Sequence, residues 1–232
     1  MDLSTAIDID RKILEFFNGS DSLFLDSLMV TLTSGATWFP LYVALLYLVI
    51  KNNDTIAQIS VVVGSCLLCF FLTEFFTEGI VKPIVARPRP GNDPVYMYMV
   101  DVVNGRRGSN YSFFSAHASN TFGVAVFFCW LVRNKLLSWL MISWSLINCY
   151  TRLYLAMHYP SDIFVGLIFG AIVGSVAYLV CYLAFRNVAT KNSFVSSQYT
   201  KTGYSLNDID IVAWVLAATY CLAMIFALIH QS

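Results

Sequence analysis

"SDIFVGLIFGAIVGSVAYLVCYLAF", residues 161–185, contains one charged residue, Asp162, and otherwise reads as a continuous apolar helix. About 20 mainly apolar residues suffice to cross a bilayer, and this run is long enough. Comparable runs lie at 29–50, 56–77, 113–132 and 136–156 upstream and at 209–229 downstream. The expected fold is an all-α membrane protein with about six transmembrane helices. The first run is the least clean, because Thr31, Thr33, Ser34 and Gly35 dilute its start and Pro40 falls within it. Ahead of it, residues 4–28 alternate charges with Ile, Leu and Phe, which suits a helix lying in the membrane interface. Two stretches are too polar to span: loop 78–112, rich in Pro, Gly, Asn and Arg, and linker 186–208.

Composition agrees. Of 232 residues, 58% are hydrophobic and 12% charged, against about 25% charged in a soluble domain. A single membrane-embedded domain over 1–232 is expected. Net charge is zero, so nothing points to nucleic acid as a partner; the bilayer and its lipids are the expected ones. "MDLSTAIDID" lacks the basic-then-apolar order of a cleaved leader, so the mature chain is expected to begin near Met1. All six cysteines fall in apolar runs. Cys66 and Cys69 have CxxC spacing but no second ligand pair, and small buried hydrophobes are expected at all six positions.

Six passes put loop 78–112 and the 157–160 seam on one side of the membrane and connectors 51–55, 133–135 and 186–208 on the other. The second side carries Lys51, Arg133, Lys135, Arg186, Lys191 and Lys201, and its short connectors are nearly pure basic. By the positive-inside tendency they belong in the cytoplasm. The charged loops and both termini then lie outside, in a protein of the cytoplasmic membrane.

Charged groups at a membrane boundary are candidate functional groups. The first cluster is "KPIVARPRP", residues 82–90. Pro83 disfavours helix at Lys82, so the helix is expected to end there and release the lysine to the surface, with Arg87 and Arg89 held extended by Pro88 and Pro90. In "YSFFSAHASN", residues 111–120, Ser112 or Ser115 can cap the next helix, with His117 in its first turn. "RLYLAMHYPSD", residues 152–162, completes the set, with Pro160 suited to a first helical position. Lys82, Arg89 and Arg152 outnumber the acids near them, and two helix N-termini add free N–H groups, which together form a site for phosphate. His158 can attack phosphorus, Asp162 can fix its tautomer, and His117 can protonate the leaving oxygen. The cations already neutralise developing charge, so no metal or other cofactor is expected.

Lys82-x6-Arg89-Pro90, Ser115-Ala116-His117 and Arg152-x5-His158-x3-Asp162 together resemble the type 2 phosphatidic acid phosphatase superfamily, in its compact bacterial lipid phosphate phosphatase branch. The resemblance implies a phosphohistidine at His158, orientation by Asp162, proton donation by His117, and a phosphate cradle of Lys82, Arg89, Arg152, Ser115 and the Ala116 amide. This chain departs from the family pattern at Phe114 and Ala116, where Pro and Gly are usual, and at Thr151, where Ser is usual. No catalytic side chain is altered. Candidate substrates by resemblance are undecaprenyl pyrophosphate and a lipid A phosphate, ranked first together, then phosphatidylglycerol phosphate and phosphatidic acid. The site would face the extracytoplasmic, periplasmic side.

Blander readings stand beside these. Glu74, Glu78 and Lys82 share a helix face, so Glu78 is read first as a local partner positioning Lys82 and second as a substrate or relay group. Arg106 and Arg107 are read first as solvated loop charges and second as readers of another headgroup phosphate; Arg87 suits either purpose. His230 belongs to no cluster. Phosphotransfer to an acceptor other than water uses the same residues. Anion transport without chemistry predicts charges near mid-membrane rather than at one face.

Overall fold

The computed structural model describes residues 3–186 and 197–230; part of the polar linker, with Lys191, lies outside them. Among the described residues no strand forms, and one isolated β-bridge joins Tyr199 to Ser205. The helices are α1 Leu3–Phe17, α2 Leu23–Leu32, α3 Phe39–Lys51, α4 Ile56–Glu74, α5 Lys82–Val85, α6 Ala116–Val132, α7 Lys135–Tyr154, α8 Pro160–Phe185 and α9 Leu206–Ile229. Three segments are long and apolar enough to cross a membrane: Ile56–Asn92, Pro160–Phe185 and Leu206–Ile229. Leu23–Leu32 and Gly35–Lys51 make a fourth if taken as one span bent by 66°. The expected six are therefore met in part. α6 has 17 residues, or about 26 Å at ~1.5 Å per residue. α7 carries Ser138, Ser143, Ser145, Asn148, Thr151 and Arg152 along its length.

Three local expectations change. The expected interfacial segment 4–28 is two helices, separated at Asn18–Ser22 by Gly19 in the left-handed region (φ +64) and by the Ser22 cap on Leu25 N. The diluted start of the first long run is a true break. α2 ends at Thr33, a short 3-10 turn covers Gly35–Trp38, and α3 resumes with Pro40 in its first turn, where a missing N–H costs nothing. Third, Pro83 does not end its helix. The backbone widens into a π-helical stretch, Phe75–Val81, and then makes one more α-turn, Lys82–Val85, which stops at Ala86 in the left-handed region (φ 49). Pro83 follows the widened stretch, through which the backbone stays helical at Val81 and Lys82. Lys82 is consequently buried, 2% exposed, rather than released to the surface.

The tightest packing joins α6 to α8. Gly166, Gly170 and Gly174 fall every four residues on α8, the spacing that lets two helices approach backbone to backbone. A Cβ at Gly170 would stand 2.5 Å from the Ser119 carbonyl oxygen, and one at Gly166 2.8 Å from that of Ser115. This packing brings the N-termini of α6 and α8 side by side, where Ser115 N donates to the Asp162 carbonyl (3.1 Å). α4 packs on the same pair, while α9 lies against α2 and α3 and seals the other flank with Trp38, Leu41, Leu48, Val212 and Leu216. The six cysteines are all free; Cys69, Cys149 and Cys181 are buried, Cys66 and Cys129 partly so, and Cys221 is exposed.

Candidate active site

Every motif residue lies where a helix begins or ends at one face of the bundle. His158 follows α7 in a short turn made by Ala156 in the left-handed region (φ 49), and is 1% exposed. Its Nε2 stands 3.3 Å from Arg89 Nη1, and its Nδ1 stands 3.6 Å from Asp162 Oδ2. The second distance exceeds a hydrogen bond, and among the described residues Nδ1 has no other partner. Burial lowers the pKa of His158 to about 3, Arg152 and Arg89 push the same way, and Asp162 opposes them without prevailing. The imidazole is therefore neutral at physiological pH, with a lone pair available on one nitrogen. An Nδ1–H facing Asp162 leaves that lone pair on Nε2, toward Arg89.

Asp162 is fully buried. Its Oδ2 accepts from Ser112 Oγ (2.5 Å) and Tyr159 N (2.9 Å), and its Oδ1 accepts from Arg87 Nη1 (2.7 Å). The carboxylate is thus fixed by donors other than the histidine beside it. Ser112 serves Asp162, and Ser115 caps α6 by accepting from Ala118 N (3.3 Å), which leaves the Ser115 O–H free to donate elsewhere. Ala116 opens α6 in right-handed helical geometry, so its amide is one of the unpaired N–H groups of a helix start.

The cations divide into two kinds. Lys82 pairs with Glu78, and Arg87 pairs with Asp162 and Asp10. Arg89 donates to the carbonyls of Ser109 (2.8 Å) and Met157 (3.1 Å), and Arg152 donates to Thr33 Oγ1 (2.9 Å). Among the described residues, neither Arg89 nor Arg152 has a carboxylate partner, although they are only 7% and 9% exposed. Two buried guanidiniums without counter-charges beside a neutral imidazole are a ready place for an anion. Gly108 lies so close to Arg89 that a Cβ there would stand 2.5 Å from the arginine Cδ. His117, half buried on the first turn of α6, is within electrostatic range of Arg152, Arg89 and Lys82.

The structure thus brings together Lys82, Arg89, Ser115, Ala116, His117, Arg152, His158 and Asp162, with Glu78 held against Lys82. It does not bring Arg106 or Arg107 into the cradle. Both are exposed on the loop, where Arg107 donates to the Gly91 carbonyl. Arg87 is committed away from the cradle. Two residues were not found from the sequence. Thr33, at the helix break, touches Arg152 and has its backbone beside the His117 ring. Asp10, on α1, reaches Arg87 (2.7 Å) and Ser161 N (2.8 Å). Thr33 signalled itself only as a polar interruption; Asp10 gave no signal. Among the described residues, no group of three or more His, Cys, Asp and Glu is placed to hold a metal ion.

Comparison with known proteins gives the arrangement its relatives. Residues 62–188 match the PAP2 superfamily. A lipid A 4'-phosphatase of Bacteroides thetaiotaomicron is 38% identical over 75% of this chain and 78% of its own length. A lipid A 4'-phosphatase of Porphyromonas gingivalis is 28% identical over 91% of this chain and 90% of its own. No solved structure matches the chain.

Proposed function

The chain belongs to the PAP2 superfamily and is a membrane phosphatase acting on lipids, and from that premise we propose that it removes the 4'-phosphate of lipid A through a phosphohistidine. The observation that carries the reading is the buried, neutral His158 facing two guanidiniums that lack carboxylate partners. The names of both relatives favour lipid A over undecaprenyl pyrophosphate.

In the proposed reaction the phosphate lies between Arg89, Arg152 and Lys82, with the Ser115 hydroxyl and Ala116 amide as further donors. The His158 Nε2 lone pair attacks phosphorus as the P–O bond to the sugar breaks. His117, in its protonated form, gives its proton to the leaving oxygen. Neutral His117 then takes a proton from water, the hydroxide oxygen attacks phosphorus, and the P–N bond breaks to release inorganic phosphate. Asp162 balances the positive charge on the imidazole while it carries the phosphoryl group. The cations supply the charge stabilisation, so a metal has no required place.

In the same reading residues 1–232 act as one domain with six passes, α6 and α7 among them, and α1 lies in the interface. Exposed Lys51, Arg133, Lys135 and Arg186 support a cytoplasmic position for the end away from the site, and with it a site at the periplasmic face of the inner membrane. The test is phosphate release from lipid A, polyprenyl pyrophosphate and phosphatidic acid by purified protein with chelator present. Loss of the lipid A 4'-phosphate, seen by mass spectrometry, is expected to be fastest. Faster release from polyprenyl pyrophosphate would reassign the substrate, and a strict magnesium requirement would overturn the metal-free route. Labelled phosphate appearing on an added lipid rather than in solution would make the enzyme a transferase.

A further inference from the structure

Asp162 carries a charge in a fully buried position, and the histidine beside it is neutral, so a different group must balance that charge. Arg87 does so, and its surroundings are unusually complete. Nη1 donates to Asp162 Oδ1 (2.7 Å) and Ser161 Oγ (2.8 Å), Nη2 donates to Asp10 Oδ2 (2.7 Å), and the guanidinium carbon lies 3.8 Å from the centre of the Tyr159 ring. One arginine is thus forked between two carboxylates and stacked on an aromatic face, a geometry that fixes its plane.

Asp10 does more than hold Arg87. Its Oδ1 accepts from Ser161 N (2.8 Å) and its Oδ2 from Ser161 Oγ (2.5 Å). Ser161 is the second residue of α8, so a carboxylate from α1 satisfies an open N–H at the start of the helix that carries Asp162. The rest of α1 is built to stay there. Leu14 is fully buried with Tyr96 and Tyr159, Asn18 Nδ2 donates to the Tyr154 carbonyl (2.8 Å), and Arg11 pairs with Asp93 (3.2 Å). Ile7, Ile9, Ile13 and Phe16 remain exposed. Asp10 is 7% exposed, so the aspartate is committed to the site rather than to water.

We propose that Asp10 and Arg87 are positioning residues for the His158–Asp162 pair, so that the docked N-terminal helix α1 is a working part of the site. Arg87 aims the Asp162 carboxylate, and Asp10 keeps Arg87 from swinging toward the phosphate cradle. The inference rests on His158 as the proposed nucleophile.

The test is Asp10→Asn in the full-length protein. The amide keeps an acceptor for Ser161 N–H, so α8 stays capped, but it sets an NH2 group or a neutral oxygen where Arg87 needs a carboxylate. The expected result on lipid A is a fall in kcat of about 10- to 100-fold with KM within about twofold, the size of a small misplacement at a reacting centre. The 15N resonance of His158 Nδ1 is expected to move in the same variant, which needs no substrate. Ser161→Ala, a milder change to the same fork, is expected to reproduce both effects at smaller size. Wild-type kcat together with an unmoved His158 resonance would overturn the inference while leaving the proposed function standing. A lower melting temperature with unchanged kcat per folded molecule would reduce Asp10 to a structural tie and overturn it too. If the wild type releases no phosphate from any lipid, the proposed function fails, and the His158 resonance in Asp10→Asn still decides the coupling.

Discussion

The two ends of the helical bundle use polar residues in opposite ways. At the end away from the site, several of the described polar groups close helices. Thr55 and Gln58 form a reciprocal cap on α4, Asn134 caps α7, Asn52 donates to Asp208 (3.0 Å), and Thr202 donates to the Val132 carbonyl (2.8 Å). At the site end the caps are equally complete, but two arginines, Arg89 and Arg152, are left with only neutral acceptors. Burying unpaired cations lowers stability, and among the described residues they are buried at one end only. The contrast agrees with the proposed site: the described polar groups at the far end finish helices, whereas two buried arginines at the near end have no carboxylate partner.

The sharpest way to break that contrast is to remove the proposed nucleophile. His158→Ala is expected to lower kcat by a factor on the order of 10^4 or more while melting normally; substantial residual turnover would dismiss His158 from the reaction. Next is the unbalanced charge itself. Arg152→Met should cost about 100-fold or more in kcat/KM and yet leave the melting temperature unchanged or raised. Vanadate, an anion shaped like phosphate, should raise the melting temperature of the wild type but not of this variant. A variant that melts far below the wild type would mean that Arg152 is balanced after all.

The pH response sharpens the same point at smaller size. His158 has its folded pKa lowered to about 3 from an ordinary 6.5, so the neutral native form is favoured at neutral pH. Its contribution is fully present above 6.5 and is lost as pH falls from there toward 3. Melting temperatures of wild type and His158→Ala, followed from pH 7 to pH 4, should diverge, with the wild type falling more steeply. Parallel curves would contradict a buried neutral imidazole. The smallest effect belongs at the other end, where Asp208→Asn should leave kcat within about twofold and cost ~1 kcal/mol of stability, read by thermal melting and phosphate release. A large loss of activity there would erase the distinction between the two ends.

Much of the site was legible because its residues are short-range signals at helix boundaries: Lys82, Arg89, Ser115, His117, Arg152, His158 and Asp162 stand at stops and starts that Pro, Ser and charge mark in the sequence. The exceptions share a physical cause. Lys82 was expected at the surface because Pro83 normally ends a helix, and a π-helical widening upstream cancelled that rule. Arg87 was open between a loop charge and a headgroup reader because its partner Asp10 lies 77 residues away, beyond any local pattern. Thr33 belongs to the site only because the first long apolar run is broken and bent by 66°. Pass number suffered similarly, since α6 is short and α7 is diluted by hydroxyls and amides.

The glycine stripe on α8 gives the protein an unusual pattern of vulnerability. Gly166 and Gly170 meet the backbone of Ser115 and Ser119 directly, so any larger residue pries apart the starts of α6 and α8. Those starts carry Ser115, Ala116 and His117 on one helix and Asp162 on the other. In a saturation mutational survey scored by activity, these glycines would therefore rank with the histidines, although a glycine offers no side chain for chemistry. Tolerance at these positions measures the spacing between the two helices that carry the proposed site rather than the chemistry on either.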